Sequence, residues 1–129
     1  MNYLLDTHLL LWTAARSPKL PARAAELIAA KENALWMSAV SLWEVAIKRS
    51  LDRSDFRYQV GQLRAGFLAN GYSELQMEGR HTLFVSSLPP IHSDPFDRLL
   101  IAQAIAEGMT FLTADSTVAR YGHPVQFTG

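Results

Sequence analysis

The sequence predicts an α/β fold: a three-layer α/β/α sandwich around a central, mainly parallel sheet. Two observations carry that prediction. Tyr3-Leu4-Leu5, Ala34-Leu35-Trp36-Met37 and Thr110-Phe111-Leu112-Thr113-Ala114 are short, nearly continuous apolar runs, as expected of strands covered on both faces. Between them lie longer segments with apolar residues at helical spacing, and strands alternating with helices of that length imply parallel pairing through crossovers. The 129 residues contain no repeat, low-complexity tract or linker, so residues 1–129 are read as one domain. A chain of this length buries about two-thirds of the surface exposed when unfolded.

Each element has its local reason. Tyr3 to Asp6 reads as a strand ending on a carboxylate, and Leu9 to Ala15 as the helix after it. Pro21 suits a first helical turn, and Ala22 to Lys31 is rich in helix formers. From Ser38 onward Leu42, Val45 and Ala46 recur at helical spacing, and Lys48 and Arg49 fall in the last turn, where cations favour the helix dipole. Phe56, Val60, Leu63 and Phe67 predict a helix over Asp55 to Ala69, closed by Asn70-Gly71. Leu75-Gln76-Met77 reads as a short strand and Gly79 to Leu88 as a helix stopped by Pro89-Pro90. Asp94-Pro95 then opens a helix with Gly108 as its C-cap, Ser116 to Tyr121 forms a short helix, and Val125-Gln126-Phe127 is an edge strand.

Composition excludes several chemistries. Lys+Arg and Asp+Glu are both 12, so any site for a polyanion must be local. With no cysteine there is no disulfide, thiolate zinc site or cysteine nucleophile, which accords with a reducing compartment. The opening MNYLLDTHLLLW has no basic leader and is interrupted by Asp6, so neither a signal peptide nor a membrane span is expected, and the cytoplasm is the default location.

The acidic residues carry the functional signal. Ligands of open parallel sheets bind beyond the carboxyl ends of the strands. Asp6 ends the first predicted strand, Asp115 follows the fourth, Glu44 lies in the helix after the second, and Asp94 and Asp97 open the helix before the fourth. Two unit charges about 6 Å apart repel by roughly 3 kcal/mol at an effective dielectric of about 20, so convergence of Asp6, Glu44, Asp97 and Asp115 demands neutralisation. Protonation would serve, and so would a hard divalent cation; Mg²⁺ or Mn²⁺ fits oxygen ligands without cysteine. A carboxylate-held Mg²⁺ can activate water and hold a phosphodiester for in-line attack, which is nuclease chemistry.

Structural roles compete for each acid. Asp94 matches an N-cap with Pro95 at N1, whereas Asp97 at N3 is too short for a good capping box and is read as functional. Glu44 either completes a capping box with Ser41 or lies inside a helix capped by Ser38. Asp6 or Thr7 can cap the first helix, and Asp115 the Ser116 helix. His8, His81, His92 and His123 lack metal-site spacing and are assigned no catalytic role. Lys48, Arg49, Arg53, Arg57 and Arg64, set against Asp52 and Asp55, form a solvated face or a guide for a phosphate backbone. Trp12, Trp36 and Trp43 are read as core or interface.

LLDTHLLLW at 4–12, SAVSLWEVAIKRSL at 38–51, HSDPFDRLLIAQA at 92–104 and FLTAD at 111–115 together resemble the PIN-domain nucleases, specifically the VapC-type toxins of type II toxin–antitoxin systems. The resemblance implies a Mg²⁺- or Mn²⁺-dependent endoribonuclease, a homodimer, and inhibition by a small antitoxin. It carries the acidic set onto Asp6, Glu44, Asp97 and Asp115, with Asp6, Asp97 and Asp115 as metal ligands and Glu44 as ligand or water-orienting base. Thr7, Thr113, Arg98 and Asp94 are supporting positions. Asp52-Arg53-Ser54-Asp55 departs from the short Gly-Lys turn frequent in that family.

Two other functions are weighed. A receiver-like signalling module that binds metal without cutting would want an acidic pair after the first strand and a late lysine, yet no lysine follows Lys48. A dehalogenase-type phosphatase would need an acid where His8 stands.

Overall fold

The computed structural model describes residues 1–129, except for the side chain of Asp55. Its sheet is built from β1 (Asn2–Leu5), β2 (Ala34–Ser38), β3 (Ser73–Leu75), β4 (Thr110–Thr113) and β5 (Val125–Phe127), in the order β3-β2-β1-β4-β5. Each neighbouring pair is parallel, with Leu4 opposite Trp36 and Phe111, and Ser38 opposite Leu75. The helices are α1 (Thr7–Ala15), α2 (Ala22–Ala29), α3 (Ala39–Ser50), α4 (Val60–Ala69), α5 (Gly79–Val85), α6 (Pro95–Glu107) and α7 (Ser116–Ala119), with a 3₁₀ turn at Ser54–Phe56.

The period of two along β1 sorts the layers. Tyr3 and Leu5 face one cluster, with Leu9 and Leu10 of α1, Ala24 and Leu27 of α2, and Leu63 and Phe67 of α4. Leu4 faces the other, with Leu100, Ile101 and Ala104 of α6, Phe111 of β4 and Val118 of α7. Both faces are therefore covered, which is why these strands read as apolar runs without alternation.

Several element boundaries differ from the sequence reading. The helix expected over Asp55 to Ala69 is broken: Phe56 sits in the 3₁₀ turn, 3% exposed, and α4 starts only at Val60. Gln59 explains the late start, since its side chain accepts the Gln62 N–H at 2.7 Å and caps the helix. The Asp55 side chain, part of the expected charged face, lies outside the described residues. The third strand is Ser73–Leu75 rather than 75–77, because pairing to β2 ends at Leu75; Leu75 is buried and Met77 is exposed. The first helix begins at Thr7, and Pro21 occupies the N-cap of α2, which ends at Ala29. Gly108 terminates α6 in the left-handed region at φ 68, returning its N–H to the helix carbonyls.

Candidate active site

β1 lies between β2 on one side and β4 on the other, so the strand order reverses there and the two carboxyl ends border a crevice. Asp6 follows β1 directly, its N–H donating to Leu112 O at 2.9 Å, and its side chain is buried without capping α1. Instead Asp6 Oδ2 accepts the Thr113 hydroxyl at 2.7 Å, while Thr113 Oγ1 accepts the Asp115 N–H at 3.0 Å. One threonine thus joins the ends of both central strands. Asp115 is exposed and caps α7, accepting the N–H groups of Thr117 and Val118.

Ser38 caps α3, accepting Val40 N–H at 3.0 Å, which places Glu44 inside the helix and leaves the Ser41 capping box unused. Glu44 is 2% exposed and held at both oxygens: Thr7 Oγ1 is 2.6 Å from Oε1, and Lys48 Nζ is 2.5 Å from Oε2. Ser41 Oγ lies 2.9 Å from Thr7 Oγ1. A hydroxyl has one proton and a carboxylate has none, so Thr7 donates to Glu44 and Ser41 donates to Thr7.

Asp94 caps α6, its Oδ1 accepting Phe96 N–H at 2.8 Å and Asp97 N–H at 3.2 Å; its other oxygen is 3.9 Å from Lys48. Asp97, one residue past the first turn's midpoint, is 13% exposed and meets His92 Nε2 at 2.9 Å. Burial pushes the Asp97 carboxyl up to about 8, and the charges of Asp6, Asp94, Glu44 and Asp115 push the same way. Asp6 is raised to about 6, chiefly by burial, with the Thr113 hydrogen bond and the nearby His8 opposing. Four acids from four places in the chain therefore bear on Asp97.

This donor set suits a hard divalent cation: carboxylate oxygens, one imidazole, no thiolate, and a carboxyl that burial and neighbouring acids keep protonated near neutral pH. Among the described residues two groups bring three possible ligand atoms within 4.8 Å of one another. His92, Asp94 and Asp97 form the one at the crevice. Glu78, His81 and Glu107 form the other, where Arg80 already pairs with both glutamates and the cluster ties α5 to α6.

A family model described as "PIN domain" matches residues 3–124. The chain belongs to the PIN-domain family. No curated protein matches it significantly. Among solved structures, this PIN domain is similar to a chain of VapBC2 from Rickettsia felis bound to a promoter DNA fragment, at 19% identity over 100% of both chains with a TM-score of 0.72. It is similar also to a chain of VapBC-1 from nontypeable Haemophilus influenzae, at 16% identity over 98% of this chain and 96% of that one, TM-score 0.68. A toxin–antitoxin complex from Klebsiella pneumoniae gives 14% identity over 98% of each chain and a TM-score of 0.64. At these identities the likeness speaks to the fold.

Within the PIN domain the supporting positions divide. Thr7 and Thr113 touch the acids directly, whereas Arg98 turns away and donates to the carbonyls of Val85, Leu88 and Pro89 and to the Tyr121 hydroxyl. Two of the histidines lie against the acids: His92 contacts Asp97, and His8 acts on Asp6, neighbourhoods that metal-site spacing does not reveal. Lys48, one of the cations read as a solvated face or a phosphate guide, is pinned to Glu44; the i, i+4 spacing of the pair was the available signal.

Proposed function

We propose that this PIN domain is a metal-dependent endoribonuclease that acts as the toxin of a type II toxin–antitoxin pair, working in the cytoplasm as a single-domain homodimer restrained by a cognate antitoxin. The observation that carries the nuclease reading is the crowding of carboxylates onto Asp97 at the crevice between β1 and β4. The similar structure named as a toxin–antitoxin complex supports the partner.

Asp6, Asp97 and Asp115 would hold Mg²⁺ or Mn²⁺, with Glu44 as a further ligand or a water-orienting base. When bound, such an ion supplies Lewis-acid stabilisation of a phosphoryl oxygen and lowers the pKa of a coordinated water. The chain's own groups prepare the site. Thr113 fixes one oxygen of Asp6 and with it the orientation of the carboxyl. Thr7 and Lys48 fix the plane of Glu44. Asp94 and Pro95 fix the start of α6, so Asp97 enters the crevice from a rigid turn, and His92 shares a proton with its Oδ2.

The test is cleavage of single-stranded and structured RNA by protein stripped of any co-purifying partner. Activity is expected with Mg²⁺ or Mn²⁺ and is lost in EDTA; Asp97→Asn should lower it by more than the roughly 10–100-fold typical of losing an outer-shell partner. Inertness toward every RNA with both ions would overturn the proposal.

A further inference from the structure

Beside the acidic crevice lies a second recess, of about 310 Å³, between α1 and the Ser54–Phe56 turn. Its walls include His8, Trp12 and Tyr58, and its rim Lys19, Ser54 and Arg57. His8 places it next to the crevice, because this lining residue stands two positions beyond Asp6 on the first turn of α1. The rings of His8 and Trp12 are 5.8 Å apart and tilted by 48°, splayed rather than stacked on each other, while His8 meets Phe56 edge-on at 5.4 Å. Trp12 is only partly buried, touching the core from its edge.

Aromatic walls with a cationic rim are what an unpaired nucleotide needs: a flat base finds π surfaces, and its phosphate finds positive charge. Lys19 and Arg57 are exposed, and among the described residues no ion pair engages either of them, in contrast to Lys48 and Arg64, which are committed to Glu44 and Glu74. The volume sits at the lower end for ligand pockets, fit for one nucleoside and too small for a base pair with its backbone. In a chain of zero net charge whose crevice repels phosphate, this rim is positive charge placed where an incoming strand can use it.

We infer that this recess is a subsite for one unpaired nucleotide of the RNA, flanking the phosphate presented to the acidic crevice, with its base against Trp12 and Tyr58 and its phosphate toward Lys19 and Arg57. The inference rests on the ribonuclease reading and adds to it a reason for preferring single-stranded RNA.

The experiment titrates fluorescein-labelled single-stranded RNA decamers with the full chain carrying Asp97→Asn, which separates binding from cutting, over a range of salt concentrations. In that background Lys19→Gln and Arg57→Gln should each weaken binding and reduce the log–log salt slope by about 0.7, and Trp12→Leu should weaken it roughly tenfold. Arg23→Gln, removing an exposed cation on α2 that pairs with Glu26, is the control and should change neither. In the cleaving protein the recess variants should raise KM with kcat kept. If Trp12→Leu melts the fold, the two exposed cations carry the test alone. Recess variants that bind RNA no worse than Arg23→Gln, while the unmodified chain still cleaves, would overturn the subsite and leave the ribonuclease standing. The same variants weakening only a co-purified protein partner would also overturn it, assigning the recess to that protein. No binding and no cleavage by any form would remove both readings.

Discussion

Asp97 keeps its proton over a range where an ordinary aspartate has lost it. The folded carboxyl titrates near 8 and the unfolded one near 3.9, so between those values the folded chain binds a proton that the unfolded chain has released. Stability of the metal-free protein therefore falls as pH rises from about 4 to about 8, by an amount on the order of several kcal/mol. Asp6 adds to the slope only up to about 6. Melting temperatures in EDTA should be lower at pH 8.5 than at pH 5, and Asp97→Asn should remove the decline between 6 and 8; an unchanged slope in the variant would place the destabilising charge elsewhere. Asp94 answers differently. Asn caps nearly as well as Asp, so Asp94→Asn should retain most of the stability and activity, whereas Asp94→Ala should cost about 1 kcal/mol in denaturant unfolding. Equal loss of cleavage in Asp94→Asn and Asp97→Asn would erase this division between cap and ligand.

At the level of elements, α6 was the most readable part of the chain. Asp94, Pro95 and Gly108 each announce a boundary through local backbone chemistry, and the structure uses all three. The Asp55 to Ala69 stretch was misread because Phe56 fits the helical spacing while belonging to a separate turn buried against His8 and Lys48. Two effects decided it: the local Gln59 cap that starts α4 at Val60, and the packing of Phe56 against residues distant in sequence. Arg98 belongs to the same class: its sequence position beside Asp97 suggests the site, yet its guanidinium braces the α5–α6 connection through three carbonyls. Arg98→Ala should lower stability by about 2 kcal/mol and speed amide exchange around residues 88–92. Exchange confined to other segments would show that the brace holds nothing there.

Over the whole molecule, alternation of strands and helices made the layers legible, and the rule for open parallel sheets gathered the acids at one edge. Strand order was not legible, because pairing of β1 with both β2 and β4 depends on crossovers whose partners lie far apart in sequence. His92 was lost for a different, local reason: its contact with Asp97, five residues on, arises from a turn around the cap of α6 rather than from periodic spacing. One expectation at this scale concerns ion binding. Since a ligand that binds only the folded state stabilises it by about 2.7 kcal/mol at 100 times its Kd, added Mg²⁺ or Mn²⁺ should raise the melting temperature at pH 8 and do so far less at pH 5.5, where Asp97 holds a proton against it. An equal rise at both values would put the ion elsewhere. The bond from Thr113 to Asp6 spans 107 residues, and it gives the site a birth time. Ribosomes add about 5–20 residues per second, so some 5–20 s separate the emergence of Asp6 from that of its partner. During that interval β1 can pair with β2 but lacks its β4 neighbour, so the acids of the crevice come together only when synthesis has passed β4.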